Sequence, residues 1–170
     1  RSAPTPFGFG GWIALTEIDD LFGHEPLMER SRVLLEAYAD EALQAGRYDF
    51  RMGSKLVRHM ESAGFEITSK IEVEDEELAF DGQARADVLA AWRNRFERMK
   101  LLRAHCGAEY EAVRDDFLRG LARVDHYARA KVWCVIGRKR KRWMNEKREV
   151  QNGFTKVDAE SENNDENSVE

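Results

Sequence analysis

Side chains capable of chemistry gather directly after the first apolar run of the chain. Residues 12–18 form that run, and three carboxylates and an imidazole lie at its end: Glu17, Asp19, Asp20 and His24. A carboxylate or a neutral imidazole can accept a proton from a hydroxyl or an amine. In open α/β sheets, ligands lie beyond the carboxyl ends of the strands. We therefore expect this cluster to face a ligand.

This cluster has three interpretations, and they stay open at this point. We predict Glu17, Asp19 and His24 as candidates for a catalytic base, and Asp20 as a substrate contact. Carboxylates with histidine also suit a divalent metal ion, but the spacing matches no ligand pattern, so we assign no metal ligand. Charged side chains in a solvated loop need no function at all.

A second candidate region is the loop 47–53, which mixes aromatic residues with arginine. We expect Tyr48 and Arg51 to line a substrate pocket, where Arg51 could hold an anion through two parallel hydrogen bonds. A surface loop between two helices explains the same composition without any ligand.

Three segments have the patterns of strands. The run 12–18, bounded by glycines and carboxylates, predicts a strand buried on both faces, as in a parallel sheet. Apolar and charged residues alternate over 65–74, which predicts a half-exposed strand near a sheet edge. The continuous apolar segment 131–137 predicts a strand internal to the sheet.

The segments between these strands have helical spacing. Pro26 is placed to start a first helix and Gly46 to end it, and Ser54 is a suitable N-cap for a second. Residues 81–130 predict an insertion of two amphipathic helices that pack as a hairpin. The predicted apolar faces are Val88, Trp92, Phe96, Met99 and Leu102 in one helix, and Tyr110, Val113, Phe117, Leu121 and Val124 in the other.

The two ends of the chain differ in composition from its middle. We predict an irregular lead-in over 1–9 and a disordered tail over 141–170 that is first basic and then acidic. Residues 151–170 hold six acidic residues and one lysine, which accounts for the whole net charge of −5. The basic cluster 138–142 could bind phosphates or direct nuclear import, but a solvated strand exit explains it as well.

Composition also bounds the location and the partners. The chain holds two cysteines, Cys106 and Cys134, each in an apolar stretch, which favours reduced thiols in the cytoplasm. No run approaches the ~18 apolar residues of a membrane helix. Without its tail the chain is formally neutral, so we expect no membrane partner and no nucleic-acid partner.

The order of these segments resembles a known family. Gly10 and Gly11 precede the first strand, a phrase like the stretch 54–65 ends the helical region, and 133–139 closes the fold. Over about 10–139 the chain is similar to the carboxyl-terminal half of a class I S-adenosylmethionine-dependent methyltransferase. The resemblance implies an α/β fold: three carboxyl-terminal strands of a Rossmann-like sheet, the last two antiparallel, within a domain spanning 10–140 whose insertion covers the acceptor.

The resemblance also implies an activity, which is transfer of a methyl group to a small-molecule acceptor. The family binds S-adenosylmethionine through a glycine-rich loop after its first strand and an acidic residue that ends its second, and this sequence holds neither. We therefore expect the complete family member to bind the cofactor and this chain alone not to bind it. Such a segment would expose the strand 12–18 and dimerise through it or be poorly soluble. The alternative is a non-catalytic α/β interaction module that uses the helical insertion as its contact surface.

Overall fold

A computed structural model describes residues 10–140, which contain both strands and helices. The predicted lead-in 1–9 and tail 141–170 lie outside the described residues. In chain order the elements are β1 (Trp12–Asp19), β2 (His24–Glu25), α1 (Glu29–Gln44), α2 (Leu56–Ser62), β3 (Phe65–Val73), α3 (Ala86–Arg98), α4 (Lys100–Cys106), α5 (Tyr110–Leu121), β4 (Tyr127–Ala128) and β5 (Lys131–Lys139).

The main sheet has three strands in the order β1-β5-β3, and β5 is antiparallel to both neighbours. This confirms the internal position of the last strand and the antiparallel pairing of the last two. Because both outer strands oppose β5, β1 and β3 run parallel to each other, with α1 and α2 between them in sequence. A bulge between Ile67 and Ser69 interrupts β3, which has the predicted edge position. The chain is therefore a mixed α/β fold with a small antiparallel sheet.

The prediction for the first strand is wrong in two respects. β1 pairs antiparallel with β5, from Trp12 opposite Arg138 to Asp19 opposite Lys131, and not within a parallel sheet. It is also not buried on both faces, because only Ile18 of its residues is buried and Trp12 is 68% exposed. Its edge position within residues 10–140 agrees with the expected exposure of the strand 12–18. The error has a physical origin, because the period of a short apolar run does not report which neighbours the strand has.

The first helix begins later than predicted. α1 starts at Glu29 and not at Pro26, because the backbone at Met28 is extended. The N–H of Met28 donates to Oδ2 of Asp116 at 2.9 Å, so a side chain from α5 supplies an acceptor directly before the helix. The predicted end is confirmed, because Gly46 follows the helix with φ of +63°.

The second helix lacks its predicted cap. Ser54 lies within a short 3-10 turn, Gly53–Lys55, ahead of α2. Its hydroxyl donates to Oδ1 of Asp19 at 3.0 Å and does not cap the helix. The turn thereby ties the start of α2 to the carboxyl end of β1.

The insertion is helical as predicted, but its first helix is divided. α3 ends before Met99, whose ψ of 66° is not helical, and α4 begins at Lys100. α5 ends at Leu121, so Val124 lies beyond the helix and is 81% exposed, contrary to its predicted place on the apolar face. The core of the insertion is otherwise close to the predicted set, with fully buried Trp92, Phe96, Leu102, Phe117 and Leu121.

Gly120 lies inside α5, where intrinsic propensity favours alanine by about 1 kcal/mol. A Cβ at this position would lie 2.7 Å from the carbonyl oxygen of Pro26, which is backbone and cannot rotate away. We therefore expect Gly120→Ala to lower the free energy of unfolding by roughly 1–3 kcal/mol in urea titration. Arg119→Ala, at the exposed neighbouring position, should change it by less than about 0.5 kcal/mol. A higher free energy of unfolding for Gly120→Ala would show that α5 and the backbone at Pro26 are not in contact.

Candidate functional site

The turn after β1 fixes the position of Asp20. Its φ of +59° lies in the left-handed region, which aspartate tolerates better than most residues. Its carbonyl oxygen accepts a hydrogen bond from the N–H of Gly23 at 2.7 Å, and a Cβ on Gly23 would collide with the Asp20 carboxylate. The carboxylate faces Arg129, with 3.6 Å between Oδ2 and Nη2. Asp20 is thus held at the carboxyl end of β1, where it was predicted.

Arg129 is a site residue that the sequence analysis missed. Its backbone N–H donates to the carbonyl oxygen of Gly23 at 2.7 Å, and its Nη2 lies 3.7 Å from Oε1 of Glu25. One arginine near the end of the predicted insertion 81–130 gives no signal in the sequence. The return of the insertion to the sheet brings it beside Asp20.

Arg51 lies near Asp20 but is already paired. Its Nη1 donates to Oδ1 of Asp40 at 2.8 Å, and its backbone forms an isolated bridge with Asp19. Asp20, Arg51 and Arg129 line one recess of about 10 Å³, which has room for about one water molecule. This recess is too small for an organic substrate.

Glu17 and Tyr48 lie together in a second, larger cavity. Burial, together with the negative charge of nearby Glu17, raises the pKa of Tyr48. The cavity is open to solvent and has a volume of about 420 Å³, within the range typical of small-molecule sites. Its other lining residues are Leu43, Gly46, Arg47, Asp49, Met52 and His59.

Asp19 is the last residue of β1. It pairs with Lys131 on one side and with the backbone of Arg51 on the other, and its carboxylate accepts the hydroxyl of Ser54. Through these contacts Asp19 joins the loop 47–53 and the start of the following turn to the main sheet.

His24 is not brought together with the carboxylates. It is 1% exposed, and its Nδ1 lies 3.0 Å from Nε2 of His126. Nδ1 of His126 must donate to the carbonyl oxygen of Gly82 at 3.0 Å, so His24 is the donor between the two rings. Its own Nε2 is then an acceptor with no partner among the described residues. Burial, His126 and Arg95 lower the pKa of His24 to about 3, so the ring is a neutral part of the core.

Comparison with known proteins adds no relative: a scan against protein-family models and a search of curated proteins each found no match. The chemistry of the site therefore follows from its side chains. Within residues 10–140, no group of three or more His, Cys, Asp or Glu is placed to hold a metal ion, and no helix is long and apolar enough to cross a membrane. The cavity of Glu17 and Tyr48 offers a carboxylate, a phenol and room for a small organic molecule.

Proposed function

We propose that this chain is the acceptor-side half of a class I S-adenosylmethionine-dependent methyltransferase that modifies a small molecule in the cytoplasm. The observation that carries this proposal is the arrangement of the sheet. The last two strands, β3 and β5, form the antiparallel pair that the resemblance implies, and β1 and β3 are parallel strands with helices between them. This is the arrangement expected of the carboxyl-terminal end of a Rossmann-like sheet. The free thiols of Cys106 and Cys134 are consistent with a reducing compartment.

The residues described here do not fit the methyl donor. A glycine-rich phosphate or nucleotide loop follows a strand and opens a helix, whereas Gly10 and Gly11 precede β1. The contribution of this chain is therefore to bind and orient the acceptor and to take up its proton.

We assign the acceptor to the cavity of Glu17 and Tyr48. This cavity, with a volume of about 420 Å³, can hold a small organic acceptor. The recess of Asp20 and Arg51, at about 10 Å³, is too small for one. Glu17 would accept the proton from an acceptor hydroxyl or amine, and Tyr48 would orient the acceptor by hydrogen bonding. Asp20, Arg51 and Arg129 would then position the turn above β1 without touching the acceptor.

The interaction-module alternative has less support. Its contact surface would be the helical insertion, but the large apolar residues Trp92, Phe96 and Phe117 of that insertion are fully buried. These side chains stabilise the fold and are not available to a partner.

The experiment that tests the proposal is to read the coding DNA upstream of Arg1. We expect an in-frame segment with the pattern of a strand followed by a Gly-x-Gly loop. A start codon immediately before Arg1, with no such segment, would contradict the proposal and favour the interaction module.

In the longer enzyme, Glu17→Gln should lower kcat by about 10²–10⁴, because an amide cannot accept the proton. The measurement is transfer of a labelled methyl group under saturating substrate. Glu66→Gln, an exposed carboxylate on β3, is the matched control and should leave kcat unchanged. Equal rates for the two variants would remove Glu17 from the site.

A further inference from the structure

The two edges of the main sheet have different chemistry. β3 is protected at its edge by the bulge after Ile67 and by exposed charges at Glu66, Lys70 and Glu72. β1 has no bulge, and its residues 12–16 carry no charge. Natural edge strands use bulges and charges to prevent pairing with other chains. β3 is thus built as an edge, whereas β1 is built to receive a neighbour.

The backbone of β1 shows which groups are available. The N–H of Lys139 donates to the carbonyl oxygen of Gly11 at 2.7 Å, and these two residues lie opposite each other in the antiparallel register. Backbone groups alternate in direction along such a strand, so those of Trp12, Ala14 and Thr16 point away from β5. No strand pairs with them within residues 10–140.

The loop after α1 limits this free edge at one end. The bridge between Asp19 and Arg51 covers the outer side of the carboxyl end of β1. The part that remains open is residues 11–17, whose only charged member is Glu17.

We propose that a second copy of this chain pairs with the free edge of β1, antiparallel, about a two-fold axis at Ala14. This inference concerns the chain on its own and rests on the proposed function, because the upstream strands of a complete enzyme would occupy the same edge. In this register Trp12 lies opposite Thr16 of the second copy, and Ala14 lies opposite its own equivalent. The surface is self-complementary, as a two-fold interface requires. The result is a continuous six-stranded sheet.

This register avoids conflicts of charge and sterics. It places Glu17 opposite Gly11 of the second copy, so no two carboxylates face each other. A shift that moves the axis toward the carboxyl end brings the second strand against the bridge of Asp19 and Arg51. In the proposed register Trp12, which is 68% exposed in the single chain, is covered by Thr16 of the second copy. An aromatic residue opposite a β-branched residue is a favourable cross-strand pair.

The first test is sedimentation velocity of the full chain over a micromolar concentration series. We expect a monomer–dimer equilibrium, and Ala14→Lys should raise its Kd at least about 10-fold because two ammonium groups then meet at the axis. Ala14→Val keeps the position apolar and should remain dimeric. Ile71→Lys adds the same charge to an exposed position on β3 and should also remain dimeric. Thermal melts followed by circular dichroism establish that each variant is folded.

The second test reads the register by disulfide trapping in a Cys134→Ser background. Paired residues on antiparallel strands have Cα atoms about 5.5 Å apart, within disulfide range, so Ala14→Cys should give a covalent dimer. Thr16→Cys is the matched control, because its two copies would be about 13 Å apart along the strands. A chain that is monomeric at all concentrations, or equal trapping at the two positions, would overturn the proposal. A monomeric chain whose longer form, encoded with the upstream DNA, still binds S-adenosylhomocysteine would overturn this inference and leave the proposed function intact.

Discussion

Phe117→Ala should lower the free energy of unfolding by about 3–5 kcal/mol, the cost of removing a buried aromatic ring. Phe117 is fully buried at the centre of the insertion core. Its ring centroid lies 4.9 Å from that of Trp92 and 5.1 Å from that of Phe96, and the rings of Phe22 and His24 contact it from the other elements. Because residues from α3, α5 and the turn after β1 meet at this ring, the cavity cannot close by the movement of one side chain.

Urea unfolding of Phe117→Ala and of Leu101→Ala measures this effect. Leu101 is an exposed apolar residue of α4, and its truncation should change the free energy by no more than about 0.5 kcal/mol. Similar losses in the two variants would contradict the packing described here.

Mild acid should destabilise the fold through His24. Its pKa falls from 6.5 to about 3 on folding, mainly because of burial and secondarily because of His126 and Arg95. Between these pH values the unfolded chain binds a proton that the folded chain excludes, so stability decreases as the pH falls below 6.5. The loss is about 1.4 kcal/mol per pH unit for this group, or about 2 kcal/mol between pH 6.5 and 5.

Protonation of His126 also destabilises the fold as the pH falls. Burial lowers the pKa of His126, although Gly82 and Asp81 oppose that shift. Paired carboxylates such as Asp87, whose pKa is lowered to about 2, contribute only at more acidic pH. The range from 6.5 to 5 therefore isolates the histidines.

The measurement is the urea midpoint as a function of pH for three proteins. His24→Phe should show a shallower decrease than the unmodified chain, because the buried imidazole is replaced by a ring that does not titrate. His59→Phe, at an exposed position of α2, should keep the original slope. A flat profile for the unmodified chain between pH 6.5 and 5 would contradict the burial of a neutral His24.

Local pattern was sufficient to predict most elements and several of their ends. The alternating period of β3, the continuous apolar run of β5 and the glycine after α1 each depend on residues close in sequence. Such features are fixed by backbone sterics and by the burial of one face, so they can be read from one segment at a time.

The pairing direction of β1 and the make-up of the site could not be predicted in this way. The pattern of a short apolar run is the same whether its neighbour runs parallel or antiparallel, so the antiparallel pairing with β5 needed the sheet order. Arg129 reaches Asp20 only through the return of the insertion, and His24 is drawn into the core by His126, about a hundred positions away. Contacts of this kind depend on the tertiary arrangement and leave no local signature.

We propose that this chain supplies the acceptor side of a methyltransferase whose donor site lies outside residues 10–140. Isothermal titration with S-adenosylhomocysteine tests it most directly, on the isolated chain and on the longer product of the upstream coding DNA. We expect no heat of binding from the isolated chain and saturable, one-to-one binding by the longer protein. Binding by the isolated chain, or none by the longer protein, would contradict the claim.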